Sequence, residues 1–322
     1  MPKTVYLHIG MQKTGTSSIQ DALLGKRTPL KAAGVDYLPA MIQPRGAHHN
    51  AAWDLARHGR YRPELPGIEA LLAACWNSEA ERIFVSSEDF SFLDDLTVTE
   101  LKAMTQGLEI HPIICIRNQV EWAESMYSQA AKRNFLGSFS EYIATRLTRT
   151  GRLDLYHVVH RWIGAFGRDN THIVVYENCA DISEDVSAIL GVKLDADKDR
   201  RNSSLNERFV AAHQAVVAQH RSSTYADLDA DMIFSATQAV GRSMPQFSGS
   251  PIFFGVEEGQ AFLDGFEEGN RTLAQYLDLP PQYFTIREER RLAQECDRSD
   301  AETLLAHALF RELARASAKK AR

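Results

Sequence analysis

Through its first two hundred residues the chain alternates short, apolar, β-branched runs with stretches of helical pattern, and this alternation limits the fold more than any other feature. Residues 4–9, 83–86, 112–116 and 172–176 are strand candidates, with 34–38 as a fifth. The runs are mostly continuous in apolar residues, as in strands covered on both faces. Helical patterns lie between them at 17–24, 68–76, 120–132 and 185–190. Strand, helix, strand, repeated in this way, implies an α/β fold of three layers: a central parallel sheet of about five strands, right-handed crossovers, and helices on its faces.

After about residue 200 the strand signals largely stop. Residues 205–220, 259–276 and 301–316 look helical, and in the second of these Phe262, Phe266, Leu273 and Tyr276 fall near one face. Residues 247–251 read as a loop from their Ser, Gly and Pro content. A Pro- and Arg-rich stretch over 39–66 is too irregular for regular structure throughout, and long loops of this kind are often functional. The length of 322 residues fits one large α/β domain with an extension as well as it fits two domains. The expectation is a single domain over 1–322, with a cofactor-binding core over 1–200 and a helical extension over 201–322.

Lysine and arginine number 36 and aspartate and glutamate 42, so the net charge is −6. That argues against a broad nucleic-acid surface and leaves room for a local anion site. Cys75, Cys115, Cys179 and Cys296 form no C-x-x-C pair and read as reduced, mostly buried thiols. No apolar run approaches the ~18 residues of a membrane span. No signal-peptide pattern precedes the first strand. A cytoplasmic protein without an integral membrane segment is expected.

The first strand runs into Gly10-Met11-Gln12-Lys13-Thr14-Gly15-Thr16-Ser17-Ser18 and then an amphipathic helix with Ile19, Ala22 and Leu23 on one face. A helix start offers backbone N–H groups and the positive end of a dipole. The hydroxyls of Thr14, Thr16, Ser17 and Ser18 add donors, and Lys13 adds a charge. Together they make a site for a phosphate or a similar anion; an ordinary N-cap and turn is the plainer alternative. Gly10 and Gly15 have the spacing of a Walker loop and Ser17 its hydroxyl position, but Thr16 stands where that loop has lysine. This weakens an assignment to an ATPase or kinase, and a ligand with a single 5′-phosphate would need less neutralisation.

The third strand candidate ends in Ile116-Arg117-Asn118, at the edge where parallel sheets place ligands. Ser125 follows eight residues on, in a helical pattern. An arginine there can grip a phosphate with its planar fork, or pair with Glu121 or Glu124 at the surface.

Residues 12–18 after a first strand resemble the 5′-phosphosulfate loop of the sulfotransferases that use 3′-phosphoadenosine 5′-phosphosulfate (PAPS). Arg117 with Ser125 is similar to the 3′-phosphate motif of that family. Ile173-Val174-Val175-Tyr176-Glu177 looks like its later strand and following acidic residue. Residues 201–205 and 268–274 resemble bacterial members acting on carbohydrate-type acceptors. The chain departs from the animal cytosolic members at Gln12, where they usually have proline, and at Ser17, where they have threonine. It also lacks their Arg-Lys-Gly motif, so further contacts to the 3′-phosphate would fall to Arg200 or Arg201, which otherwise read as a solvated basic turn.

The resemblance implies in-line transfer of a sulfuryl group from PAPS to a hydroxyl or amine, leaving 3′-phosphoadenosine 5′-phosphate (PAP), with no metal. Gln12, Lys13, Thr14, Gly15, Thr16, Ser17 and Ser18 would bind the 5′ end, and Lys13 would neutralise the leaving charge. The acceptor needs a base. Glu88, at the tip of the second strand candidate in Ser86-Ser87-Glu88-Asp89, is the first choice, and His49 and His48 in the 39–66 loop are its rivals. The acceptor is a small molecule or glycan, most simply a carbohydrate or glycoconjugate. Arg45, Arg57, Arg60 and Arg62 make that loop basic, which suits an acidic sugar or a lipid-linked glycan; an exposed solvated loop is the plainer and slightly favoured alternative. The competing readings are a P-loop kinase using ATP–Mg and a nucleotide-binding module without transfer activity.

Overall fold

The structure, a computed structural model, describes residues 2–38, 47–133, 135–179, 181–194, 205–222 and 230–286. In chain order these form β1 (Lys3–Gly10), α1 (Thr16–Gly25), α2 (Arg27–Ala32), β2 (Val35–Tyr37), α3 (His49–Leu55) and α4 (Ile68–Asn77). Next come β3 (Arg82–Ser86), α5 (Asp95–Met104), β4 (Leu108–Ile116), α6 (Gln119–Lys132), α7 (Phe139–Tyr142) and α8 (Leu155–Phe166). The remainder is β5 (His172–Val175), α9 (Ile182–Leu190), α10 (Glu207–Ser222), α11 (Ala230–Gly241), α12 (Val256–Asp264) and α13 (Glu267–Tyr276). Single 3-10 turns follow β3 at Glu88–Phe92 and β5 at Tyr176–Asn178.

The five strands form one sheet in the order β2-β3-β1-β4-β5, and every neighbouring pair is parallel. The α/β expectation holds, and the five strand candidates are these five strands. β4 begins at Leu108, earlier than its apolar run suggested, and carries Pro112 inside it. β5 pairs with β4 only from Ile113 onward. At Pro112 that flank is still an edge, where a residue without an N–H is tolerated.

The chain divides into two compact units. The first joins Met1–Asn118, Thr150–Arg200 and Phe266–Tyr283 and contains the sheet; the second joins Gln119–Arg149, Arg201–Gly265 and Phe284–Arg322. In the first unit, alternation along the strands divides the core. Phe84, Ile113, Cys115 and Val174 turn to one face and pack with Ile19 and Leu23 of α1 and Ile182 and Val186 of α9. Burying such side chains stabilises by roughly 1.5–3 kcal/mol each. Val5, Leu7 and Ile9, which alternate with the residues of that face along β1, are buried in the opposite sense. In the second unit, Leu205, Phe209, Ala212, Val240 and Phe247 form a separate cluster. There the buried carboxylate of Glu124 accepts the backbone N–H groups of Phe253 and Phe254 at 2.7 and 3.0 Å.

The continuous helix expected over 259–276 is two helices, α12 and α13, broken at Gly265 and Phe266. Glycine loses the most backbone entropy in a helix, so it ends one readily. Glu267 and Glu268 then start α13 in its first turn, where the dipole favours acidic groups. The stretch over 39–66 contains a helix, α3, so the histidines assigned to a loop stand at a helix start. The helix expected at 301–316, Cys296, Arg45 and residues 39–46 lie outside the described residues. Cys75 and Cys115 are buried free thiols and Cys179 is a half-buried one. No described helix is long and apolar enough to cross a membrane.

Three buried histidines, His8, His48 and His213, are held neutral by burial, each with its pKa lowered to about 4. Between that value and the ordinary 6.5 the unfolded chain binds more protons than the folded one, so stability falls as pH falls through this window. Each histidine adds up to about 1.4 kcal/mol per pH unit to the slope. The thermal midpoint is expected to drop steeply between pH 6.5 and pH 4 and less so in His48→Asn; equal slopes in the two proteins would refute this account of His48.

Candidate functional site

Parallel strands end on one edge of their sheet, so segments far apart in sequence come together there. β1 leads into the Gly10–Gly15 loop, β3 into Ser87-Glu88-Asp89, β4 into Arg117 and β5 into Tyr176-Glu177. β1 and β4 are neighbours, and their connections leave for opposite edges of the sheet. A crevice opens at such a switch of direction, where α/β sheets place ligands.

The loop after β1 is shaped by what its glycines permit. Gly10 has φ +95°, and a Cβ there would stand 2.9 Å from the Cα of Glu88. Gly15 has φ +80° and lies against Ile182 of α9, whose Cγ2 a Cβ would meet at 2.6 Å. Between them Lys13 adopts φ +63°, the left-handed region that non-glycine residues rarely enter. Its backbone carbonyl accepts a hydrogen bond from Arg117 Nη1 at 3.1 Å, which holds that conformation. The Thr14 hydroxyl is buried and donates to the Met11 carbonyl at 2.6 Å, closing the loop from within. Thr16 is also buried, whereas Ser17 and Ser18 are exposed on the first turn of α1.

The start of α1 carries no side-chain cap and no acidic residue in its first turn. By contrast α5, α8 and α9 are capped by Asp94, Asp154 and Asp181. An open N-terminus, exposed hydroxyls and Lys13 together form an anion cradle of the kind that binds phosphate.

Arg117 lies at the tip of β4 with little exposure. Its guanidinium sits 4.9 Å from the Tyr176 ring centre and 3.9 Å from Glu177 Oε1. Glu177 also accepts the Asn118 backbone N–H at 2.9 Å and the Tyr283 hydroxyl. Thus Arg117 stands beside a carboxylate and is joined directly to the loop that holds Lys13. Ser125 is half-buried on α6, in the second unit. Arg200 and Arg201 lie outside the described residues.

Glu88 and His49 come together. His49 Nε2 stands 4.0 Å from Glu88 Oε1, and both side chains are just over four-fifths buried. Gln20 of α1 donates to Glu88 Oε2 at 3.0 Å and to the Ser86 hydroxyl at 3.1 Å. This ties the carboxylate to the helix whose start forms the anion cradle. The Glu88 charge reaches Tyr37 as well, adding to the burial that pushes its phenol up. His48 faces the other way: it is 1% exposed, and its Nδ1 lies 3.2 Å from the Ser86 backbone nitrogen, which donates to it. It braces α3 against β3.

Three side chains here had no sequence motif to mark them. Asp89 accepts from Gln12 at 2.8 Å and from the Trp53 indole at 2.7 Å. Gln20 has the spacing to face the sheet side of α1 but no partner that sequence could supply. Tyr283 reaches Glu177 from a distant part of the chain. Among the described residues no group of three or more His, Cys, Asp or Glu side chains could hold a metal ion.

No family model matches the chain. No curated protein sequence matches it. Among solved structures it is similar to a sulfotransferase from Alicyclobacillus acidocaldarius, at 15% sequence identity over 87% of this chain and 97% of that one, with a TM-score of 0.48.

Proposed function

We propose that this chain is a PAPS-dependent sulfotransferase acting on a hydroxyl, or an amine, of a carbohydrate or glycoconjugate acceptor. One observation carries the reading: an uncapped helix start with Lys13 and a carboxylate–histidine pair are joined at one edge of the sheet, with Gln12 of the loop bonded to Asp89 beside Glu88. The cradle fits a single 5′-phosphate with its substituent, because it offers N–H groups, the Ser17 and Ser18 hydroxyls and one lysine. It does not offer the Walker lysine after Gly15.

PAPS brings a sulfuryl group carried on a phosphate. The backbone N–H groups of the loop hold phosphate oxygens, and Lys13 neutralises the negative charge that grows on the leaving side. Preorganised electrostatics of this kind usually supply the largest share of catalysis. Arg117 is assigned to the 3′-phosphate; Ser125, Arg200 and Arg201 are carried over on sequence pattern alone. Glu88 takes the proton of the acceptor hydroxyl, with His49 beside it. Arg57, Arg60 and Arg62 are exposed beyond α3, with Arg57 paired to Glu100 at 3.1 Å, and offer charge to an acidic sugar.

PAP and ATP–Mg separate this reading from a kinase. At a hundredfold excess over its Kd a ligand stabilises by roughly 2.7 kcal/mol, enough to read as a clear rise in thermal midpoint. PAP is expected to produce that rise and ATP–Mg a smaller one. A preference for ATP–Mg overturns the proposal. PAP binding without transfer of labelled sulfate to any acceptor pool would point to a binding module.

A further inference from the structure

We propose that Asp89 is a positioning residue, which fixes His49 with Nδ1 turned inward and Nε2 turned toward Glu88; this rests on reading Glu88 and His49 as the proton-accepting pair. Asp89 is 4% exposed, in the turn after β3, and its backbone N–H is capped by the Ser87 hydroxyl at 3.2 Å. Its Oδ1 accepts from Gln12 Nε2 at 2.8 Å and its Oδ2 from Trp53 Nε1 at 2.7 Å. An indole N–H only donates, so that oxygen must be an acceptor.

His49 presents Nδ1 to the same oxygen at 3.5 Å and to the Ser87 hydroxyl oxygen at 2.9 Å. The ring plane is also set, because Trp53, one helical turn along α3, stacks on it at 16° and 5.5 Å between centres. Asp89 Oδ2 is thus hydrogen-bonded to one member of the stack and stands 3.5 Å from the other. Two carboxylates face the imidazole; the Nδ1–H donates to the Ser87 oxygen at 2.9 Å, and the Asp89 carboxylate 3.5 Å away favours keeping the proton on that nitrogen. A carboxylate or carbonyl on one ring nitrogen fixes which nitrogen is left to act.

Nε2 is then a lone pair 4.0 Å from Glu88 Oε1. Two acceptors face one another, and a hydroxyl entering there can give its proton to either. The proton leaves the hydroxyl, whose bonding pair stays on oxygen. Glu88 takes it first and Nε2 is the next acceptor. Asp89 also connects this pair to the anion loop through Gln12, so one carboxylate sets the register of base and cradle.

Long-range proton–nitrogen NMR of 15N-labelled protein tests this without turnover, with His49→Gln to assign the signal. Wild type is expected to carry its neutral His49 proton on Nδ1, and Asp89→Asn to shift it toward Nε2. By analogy with carboxylates that orient histidines at metal sites, turnover of Asp89→Asn is expected to fall roughly 10–100-fold, with a smaller loss of PAP affinity through Gln12 and partial recovery in Asp89→Glu. An Nε2–H tautomer in wild type overturns the proposal, as does unchanged turnover in a folded Asp89→Asn protein. The wild-type tautomer decides the matter even where the variant does not fold. Failure of wild type to bind PAP would sink the sulfotransferase reading and leave the tautomer result standing by itself.

Discussion

Lys13→Ala is expected to reduce turnover by roughly 10²–10³, the scale of losing one preorganised group aimed at developing charge. PAP should stabilise the variant far less than it does wild type. The fold should be little affected, because alanine meets the same cost at φ +63° as lysine does. Lys13→Gly is the informative partner. It removes the ammonium but relieves a left-handed conformation that costs roughly 1–2 kcal/mol, so it should melt higher than wild type and bind PAP as poorly as the alanine variant. Arg117→Ala should also lose PAP binding, since it removes both the phosphate fork and the hydrogen bond that holds the Lys13 carbonyl. Normal PAP shifts in Lys13→Ala and Arg117→Ala alike would show that the anion cradle has been placed wrongly.

Glu88→Gln should separate chemistry from binding. Turnover should fall roughly 10²–10⁴-fold, the range for losing a positioned base, while PAP still raises the thermal midpoint. The amide can keep the local geometry. Its oxygen can accept from Gln20, now at 3.0 Å from Oε2, while its NH₂ faces His49 Nε2 across the former 4.0 Å gap. A drop in rate would therefore report lost basicity in an undisturbed pocket. Retained turnover would move the role to His49, and His49→Gln would then be the variant that fails.

Much of this arrangement is legible in the order of residues along the chain. Continuous apolar runs mark strands covered on both faces, and parallel strands put their carboxyl ends together, so Lys13, Glu88 and Arg117 can be grouped from their positions after three such runs. Other parts carry signals of different strength. α8 shows Leu155, Val158, Val159, Trp162 and Phe166 on a helical period behind an Asp154 cap, a pattern open to inspection. The break at Gly265 is harder, since a helical period continues across it. His48 and His49 are adjacent and chemically identical; only the turn of α3 sends one into the core and the other to Glu88. Asp89, Gln20 and Tyr283 act through partners dozens of positions away, and no local pattern encodes such a meeting.

The first unit is closed by chain that arrives late. α13 lies along α8, and Tyr283 supplies a hydroxyl to Glu177, the carboxylate beside Arg117. On the ribosome the sheet strands emerge well before these residues do. Until then Glu177 lacks one of its donors and α8 has a bare flank. Contacts of such long sequence separation form slowly and leave apolar surface open in the meantime. The Arg117 end of the crevice is thus finished only once Tyr283 has emerged, and a fragment stopped near residue 200 would contain every described strand without the piece that braces its arginine.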